Sequence, residues 1–163
     1  MSTCQIRFAE RKDIPVILGF IRKLAEYEKL ENEVVATEEL LGTWLFEKNK
    51  AEVLLAFEGE NPVGYALFFH NFSTFLGRAG IYLEDLFVLP EKRGKGYGKA
   101  LFLYLAHTAL QRGCGRMEWT CLNWNKPSIR FYRSMGAVPL DDWRVYRLTE
   151  DGLRALETSQ PAR

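Results

Sequence analysis

Apolar and polar positions along the chain switch between two periods, and the switches predict its elements. Gln5-Ile6-Arg7-Phe8-Ala9 alternates, which predicts a short first strand. Ile14, Ile17, Leu18, Ile21, Leu24 and Ala25 recur at helical spacing, so a helix follows and ends between Tyr27 and Leu30. Asp13 is placed to cap it, and Pro15 falls in a first turn that tolerates proline. Thr37 predicts the N-cap of a second short helix, with Leu40, Leu41, Trp44 and Leu45 on its buried side. Glu52 to Phe57 and Val63 to His70 read as the strands of a hairpin around the turn 58–62. Asn71 to Gly80 reads as a loop. Ile81 to Leu89 is a longer strand, ended by Pro90, which cannot donate to a sheet ladder. From Ala100 the pattern turns helical, with Leu101, Tyr104, Leu105 and Leu110, until about Arg112, where Gly113 suits the C-terminal cap. Arg116 to Leu122 is a strand. Pro127 and Gly136 bracket a short helix. Val138 to Leu140 and Trp143 to Leu148 are the last strands. Asp151 to Thr158 adds a weak helical tail, and Gln160 to Arg163 should fray.

The order is β, α, α, β, β, β, α, β, α, β, β. Helices between strands require crossover connections, so this is an α/β fold with a mixed sheet covered by helices. No repeat or linker interrupts the 163 residues, which fit a single domain.

Composition narrows the function classes. The chain is 47% hydrophobic and 26% charged, enough for a real core, and its net charge is +1. That balance calls for neither nucleic acid nor a membrane as partner. No apolar run reaches the ~20 residues that cross a bilayer, and the N-terminus lacks a signal-peptide core. Cys4, Cys114 and Cys121 form no C-x-x-C pair, so reduced thiols and a cytoplasmic location are expected, with no metal. Six glutamates face Lys29 alone between Glu26 and Glu39, an acidic patch that is either a solvated helix end or a seat for a cation.

Gly94, Gly96 and Gly98 alternate with Lys95, Tyr97 and Lys99, just after Arg93 and just before a helix. Free N–H groups and the positive dipole end make a helix start a good anion site, and glycines let the backbone approach a phosphate. The spacing is wrong for a nucleotide loop of the G-x-x-x-x-G-K-S/T type, because no Ser or Thr follows Lys99. It is wrong for a dinucleotide fingerprint, because the third glycine is one position early. What fits is Arg93-x-x-Gly96-x-Gly98 after an apolar strand. That resembles the acyl-CoA loop of the GNAT family of N-acetyltransferases. Asn125-Lys126-Pro127-Ser128-Ile129-Arg130-Phe131-Tyr132 with Gly136-Ala137 resembles the family's second cofactor-contacting motif. Leu24-Ala25-Glu26-Tyr27-Glu28 and Tyr82-Leu83-Glu84-Asp85 resemble the subgroup of diamine, spermidine/spermine and thialysine N-acetyltransferases.

The resemblance implies a mostly antiparallel sheet of six to seven strands flanked by about four helices. It implies acetyl transfer from acetyl-CoA to a primary amine of a polyamine, diamine or thialysine-like amino acid, in a ternary complex. The alternatives are acetylation of a protein lysine or N-terminus, and a non-catalytic acyl-CoA-binding module. It implies that Gly94, Lys95, Gly96, Tyr97, Gly98 and Lys99 cradle the diphosphate, with charge from Arg93 and Lys95. The backbone of Leu86, Phe87 and Val88 would hold the acyl arm. Asn125, Lys126, Pro127 and Ser128 would contact the cofactor, and Tyr132 would protonate the leaving thiolate as general acid. Tyr27, Glu28 and Glu84 would meet the amine, with Glu84 binding its charge or relaying its proton. Glu84 and Asp85 are both candidates, but adjacent residues on a strand face opposite ways, so only one can face the site, and the resemblance picks Glu84. Members of this subgroup are usually homodimers, which is the expectation here too.

Overall fold

The computed structural model describes residues 4–158; the fraying expected over Gln160–Arg163 lies outside them. The chain divides into two compact units, the first ending at Thr120 and the second starting at Cys121.

The first unit is a five-stranded sheet in the order β1-β2-β3-β4-β5. Its strands are β1 Cys4–Phe8, β2 Glu52–Glu58, β3 Asn61–Ser73, β4 Arg78–Val88 and β5 Met117–Glu118. The first four run antiparallel to one another, and β5 is parallel to β4. The helices are α1 Ile14–Glu28, α2 Glu38–Leu41, which widens into a π-type turn over Gly42–Glu47, and α3 Tyr97–Gln111. On one face of the sheet, Ile17 and Phe20 of α1 and Leu45 pack on Val53, Leu55, Tyr65 and Phe87. On the other, α3 brings Tyr104 edge-on to Phe8, and Leu101 and Leu105 are fully buried. Each such leucine contributes about 1.5–3 kcal/mol.

Four local expectations change. Leu40 and Trp44, expected on the buried side of α2, are exposed, while Leu45 is buried. Thr37 caps α2 as expected, its hydroxyl accepting the Leu40 N–H at 3.2 Å. Asp13 makes no such bond to α1. A tight turn over Arg11–Asp13 precedes the helix and leaves Asp13 helical (φ −85°, ψ −1°), not extended as a capping residue should be. Its carboxylate accepts from Arg7 at 2.7 and 3.0 Å and from the Glu10 N–H at 2.7 Å. The loop expected over 71–80 is mostly ladder: Asn71 pairs with Gly80, Phe72 with Ala79 and Ser73 with Arg78. Phe72 and Phe75 stand exposed there, so the hairpin tip shows no buried side from which alternation could be read. The strand expected over 116–122 shrinks to two residues.

The second unit holds α4 Lys126–Ser134 and α5 Glu150–Thr158. The sheet thus has five strands, not six to seven, and five α-helices are described, not about four. The missing strands are Val138–Leu140 and Trp143–Leu148, which carry no ladder. Their apolar side chains are exposed, Val138 by 79%, Trp143 by 77% and Tyr146 by 87%. A strand pattern in the sequence needs a neighbouring backbone to become a strand, and this stretch has none among the described residues.

Candidate active site

The site is built around the end of β4. Tyr65 to Leu67 of β3 pair in register with Phe87 to Asp85, but the next pair is Phe68 with Leu83. Glu84 is therefore an extra residue, a bulge that bends the strand and interrupts its alternation. Glu84 is exposed. Asp85 shares the α1 face with its partner Leu67 and with Tyr65 and Phe87. The Tyr65 hydroxyl donates to Asp85 Oδ2 at 2.6 Å. Burial pushes the Asp85 carboxyl up, and the tyrosine bond works against that rise. Burial also pushes the Tyr65 phenol far up, and the Asp85 charge adds to it.

Glu28 ends α1, and the left-handed Lys29 (φ 61°) turns the chain away. Burial raises the Glu28 carboxyl, and the charge of Asp85 raises it further. Tyr27 packs against the same core cluster. The Arg93 guanidinium lies 4.6 Å over the Tyr27 ring and 5.5 Å over Phe87, and its Nε donates to the Val88 carbonyl at 3.0 Å. The structure thus brings Tyr27, Glu28, Glu84 and Arg93 to one end of the first unit.

After Val88, Pro90–Lys92 makes one tight turn and the glycine loop follows. Gly94 and Gly96 have φ of 74° and 88°, in the region that L side chains avoid. At Gly98 a Cβ would merely touch Val88 at 3.7 Å. The first helical bond of α3 runs from Ala100 N–H to the Gly96 carbonyl at 2.9 Å. The N–H groups of Tyr97, Gly98 and Lys99 come before it, where a helix has no carbonyl of its own to offer them. Two left-handed glycines followed by the start of a helix fit a diphosphate. Glu58, ending β2, gathers the loop's other groups. It accepts from Lys92, from the Tyr97 hydroxyl at 2.8 Å, and lies 3.5 Å from Lys95. Those bonds hold its carboxyl at about 2.

In the second unit, Asn125 is the N-cap of α4, its Oδ1 accepting the Ser128 N–H at 3.3 Å. Lys126 and Pro127 form the first turn. Ser128, Ile129 and Tyr132 share a face by their spacing. Tyr132 is half-buried, its ring tilted against Phe131 at 5.4 Å. Leu86, Phe87 and Val88 lie on the last run of β4. Sequence reasoning missed Tyr65 and Glu58, and it passed over Asp85. The signal for the first and last was two acids inside an apolar strand beside a strand carrying a tyrosine.

The profile of the Acetyltransferase (GNAT) family matches residues 19–137. The chain belongs to the GNAT family. It is an N-acetyltransferase. This GNAT chain is 38% identical to the thialysine N-epsilon-acetyltransferase of Sus scrofa over 168 positions, covering 96% of this chain and 98% of the relative. It is 30% identical to the L-ornithine N5-acetyltransferase NATA1 of Arabidopsis thaliana, covering 94% and 87%. Its fold superposes on an integron cassette protein of V. cholerae with a TM-score of 0.81 at 29% identity, covering 98% and 99% of the two chains. An aminoglycoside acetyltransferase from an uncultured soil metagenomic sample shares the fold, with a TM-score of 0.76 at 20% identity over 90% and 97%.

Proposed function

We propose that the protein moves an acetyl group from acetyl-CoA to a primary amine of a small cationic acceptor, a polyamine, diamine or thialysine-like amino acid, by direct transfer in a ternary complex. The observation that carries this reading is the meeting, on one strand, of an anion cradle and a carboxylate end: β4 runs from Glu84 and Asp85 straight into the glycine loop. The relatives named for thialysine and for ornithine support an acceptor whose amine lies on a short chain.

Acetyl-CoA supplies the thioester acyl group. The N–H groups of Gly94 to Lys99 hold its diphosphate, with charge from Arg93 and Lys95. The backbone of Leu86, Phe87 and Val88 pairs with the acyl arm, and an N–H of Phe87 or Val88 polarises the carbonyl. Asn125, Lys126, Pro127 and Ser128 make further cofactor contacts. Tyr27 and Glu28 receive the ammonium group, and Glu84 binds it or relays its proton. Tyr132 gives a proton to the departing sulfur. The reading includes one domain over 1–163, a cytoplasmic homodimer, and no nucleic acid, membrane or metal partner. The exposed apolar stretch 138–148 supports a second copy as partner.

A thiol-release assay across an amine panel tests the reading, with wild type beside Tyr132→Phe. Wild type should turn over a diamine or lysine-like amine, and the variant should lose about 100-fold in kcat with CoA affinity unchanged. Turnover equal in the two removes Tyr132 from the chemistry. CoA bound with no amine acetylated points instead to an acyl-CoA sensor.

A further inference from the structure

The roles above leave Asp85 without a task. Its carboxyl sits on the α1 face of the sheet, bonded to a tyrosine hydroxyl at 2.6 Å. Tyr65 is fully buried, and its ring stacks on Phe20 at 5.5 Å, 7° from parallel. That stacking fixes the hydroxyl, so the bond to Asp85 is not one that solvent can replace. A hydroxyl bonded to a carboxylate is stronger than a neutral pair. Three titratable groups lie about Asp85: Tyr65 on β3, Glu28 on α1 and Glu84 next to it on β4, while the Arg93 guanidinium lies over Phe87, two residues on.

We propose that Tyr65 is a positioning residue for the amine: its buried hydroxyl fixes the Asp85 carboxylate at the amine end of the sheet, where that charge adds to the attraction for the incoming cation. This rests on the reading of Tyr27, Glu28 and Glu84 as the amine side. The physical sequence is short. Without the hydroxyl, burial alone governs Asp85, and it keeps its proton to higher pH. A neutral Asp85 removes one negative charge facing a cationic acceptor. It also removes the repulsion that raises Glu28, so Glu28 ionises at lower pH. Because the Asp85 charge raises Glu28, Tyr65 bears on both carboxyls by holding that charge in place.

The experiment compares wild type, Tyr65→Phe, Asp85→Asn and the double variant. Amine kcat/KM is measured from about pH 5 to pH 9, with CoA affinity by calorimetry and carboxyl carbon NMR titration of Asp85 and Glu28 alongside. Tyr65→Phe should move the acid limb up by about one pH unit and raise the amine KM about tenfold at pH values below that limb, while CoA affinity stays put. In the NMR titration Asp85 should rise and Glu28 should fall. In the Asp85→Asn background the Tyr65 change should add nothing to the pH profile. A uniform loss of rate at all pH values, or a limb shift that persists without the Asp85 carboxyl, overturns the proposal. Static titrations in an enzyme that acetylates amines overturn the Tyr65 role alone. Shifted titrations in a protein that binds CoA but acetylates no amine overturn the acetyl-transfer reading, and the positioning role with it.

Discussion

Replacing Gly96 with alanine separates two ways in which a glycine loop can depend on glycine. At 88°, the Gly96 φ lies where a Cβ costs about 1–2 kcal/mol, although nothing lies within 4 Å of the added methyl. The strain is therefore in the backbone and not in a clash. The chain has two responses. It can keep its shape and lose about 1–2 kcal/mol of stability, a fall of about 5 °C in Tm for a domain of this size. Or it can relax φ, reorient the backbone where α3 begins, and lose about tenfold in CoA affinity. The two losses trade against each other. Gly98→Ala is the control, because its methyl would meet Val88 Cγ2 at an ordinary 3.7 Å and its φ is not left-handed. Chemical denaturation and CoA calorimetry on both variants read the outcome. Gly96→Ala with unchanged stability and unchanged affinity would refute the reasoning, as would Gly98→Ala proving the worse of the two.

Glu84→Gln should raise the amine KM about 2- to 5-fold, the worth of an exposed charge contact, and leave CoA affinity alone; steady-state kinetics at low salt would show it, and an indifferent KM would remove Glu84 from the amine side. Glu58 carries a pH signature. Its carboxyl is held at about 2 against an ordinary 4.5, so its bonds to Lys92 and Tyr97 stabilise the fold above pH 4.5 and are lost as pH falls towards 2. Urea unfolding through that window should show the slope in wild type and a flatter one in Glu58→Gln; identical slopes would mean the loop does not depend on that anchor.

Much of the fold could be read from local periodicity, because local chemistry decides it. Ile17 and Leu18 had to face a core, Thr37 had to cap, and Gly113 and Gly136 had to turn the chain with φ of 70° and 87°. The glycine loop was legible for the same reason. What escaped depends on pairing at a distance. The Glu84 bulge exists only because Phe68 pairs with Leu83, and no window of residues around 84 contains position 68. Simple alternation set Glu84 and Asp85 on opposite faces; it did not reveal that Asp85 would be fixed by Tyr65, 20 positions earlier in the chain. Glu58 looked like part of a turn, and its 34-residue reach to Lys92 made it the loop's anchor. The last strands failed in the opposite direction. Trp143 to Leu148 has the composition of a strand, yet the described chain provides no backbone beside it.

The succession of the first four strands has a kinetic meaning. Each hydrogen-bonds to its neighbour in sequence, and the β2–β3 and β3–β4 reversals are short enough to close cheaply. β5 must wait, since its parallel seat beside β4 exists only after the whole α3 crossover has docked. The glycine loop therefore belongs to the late-forming half of the molecule, and amides around Ile81 and Met117 should open to deuterium before those of the β2–β3 pair.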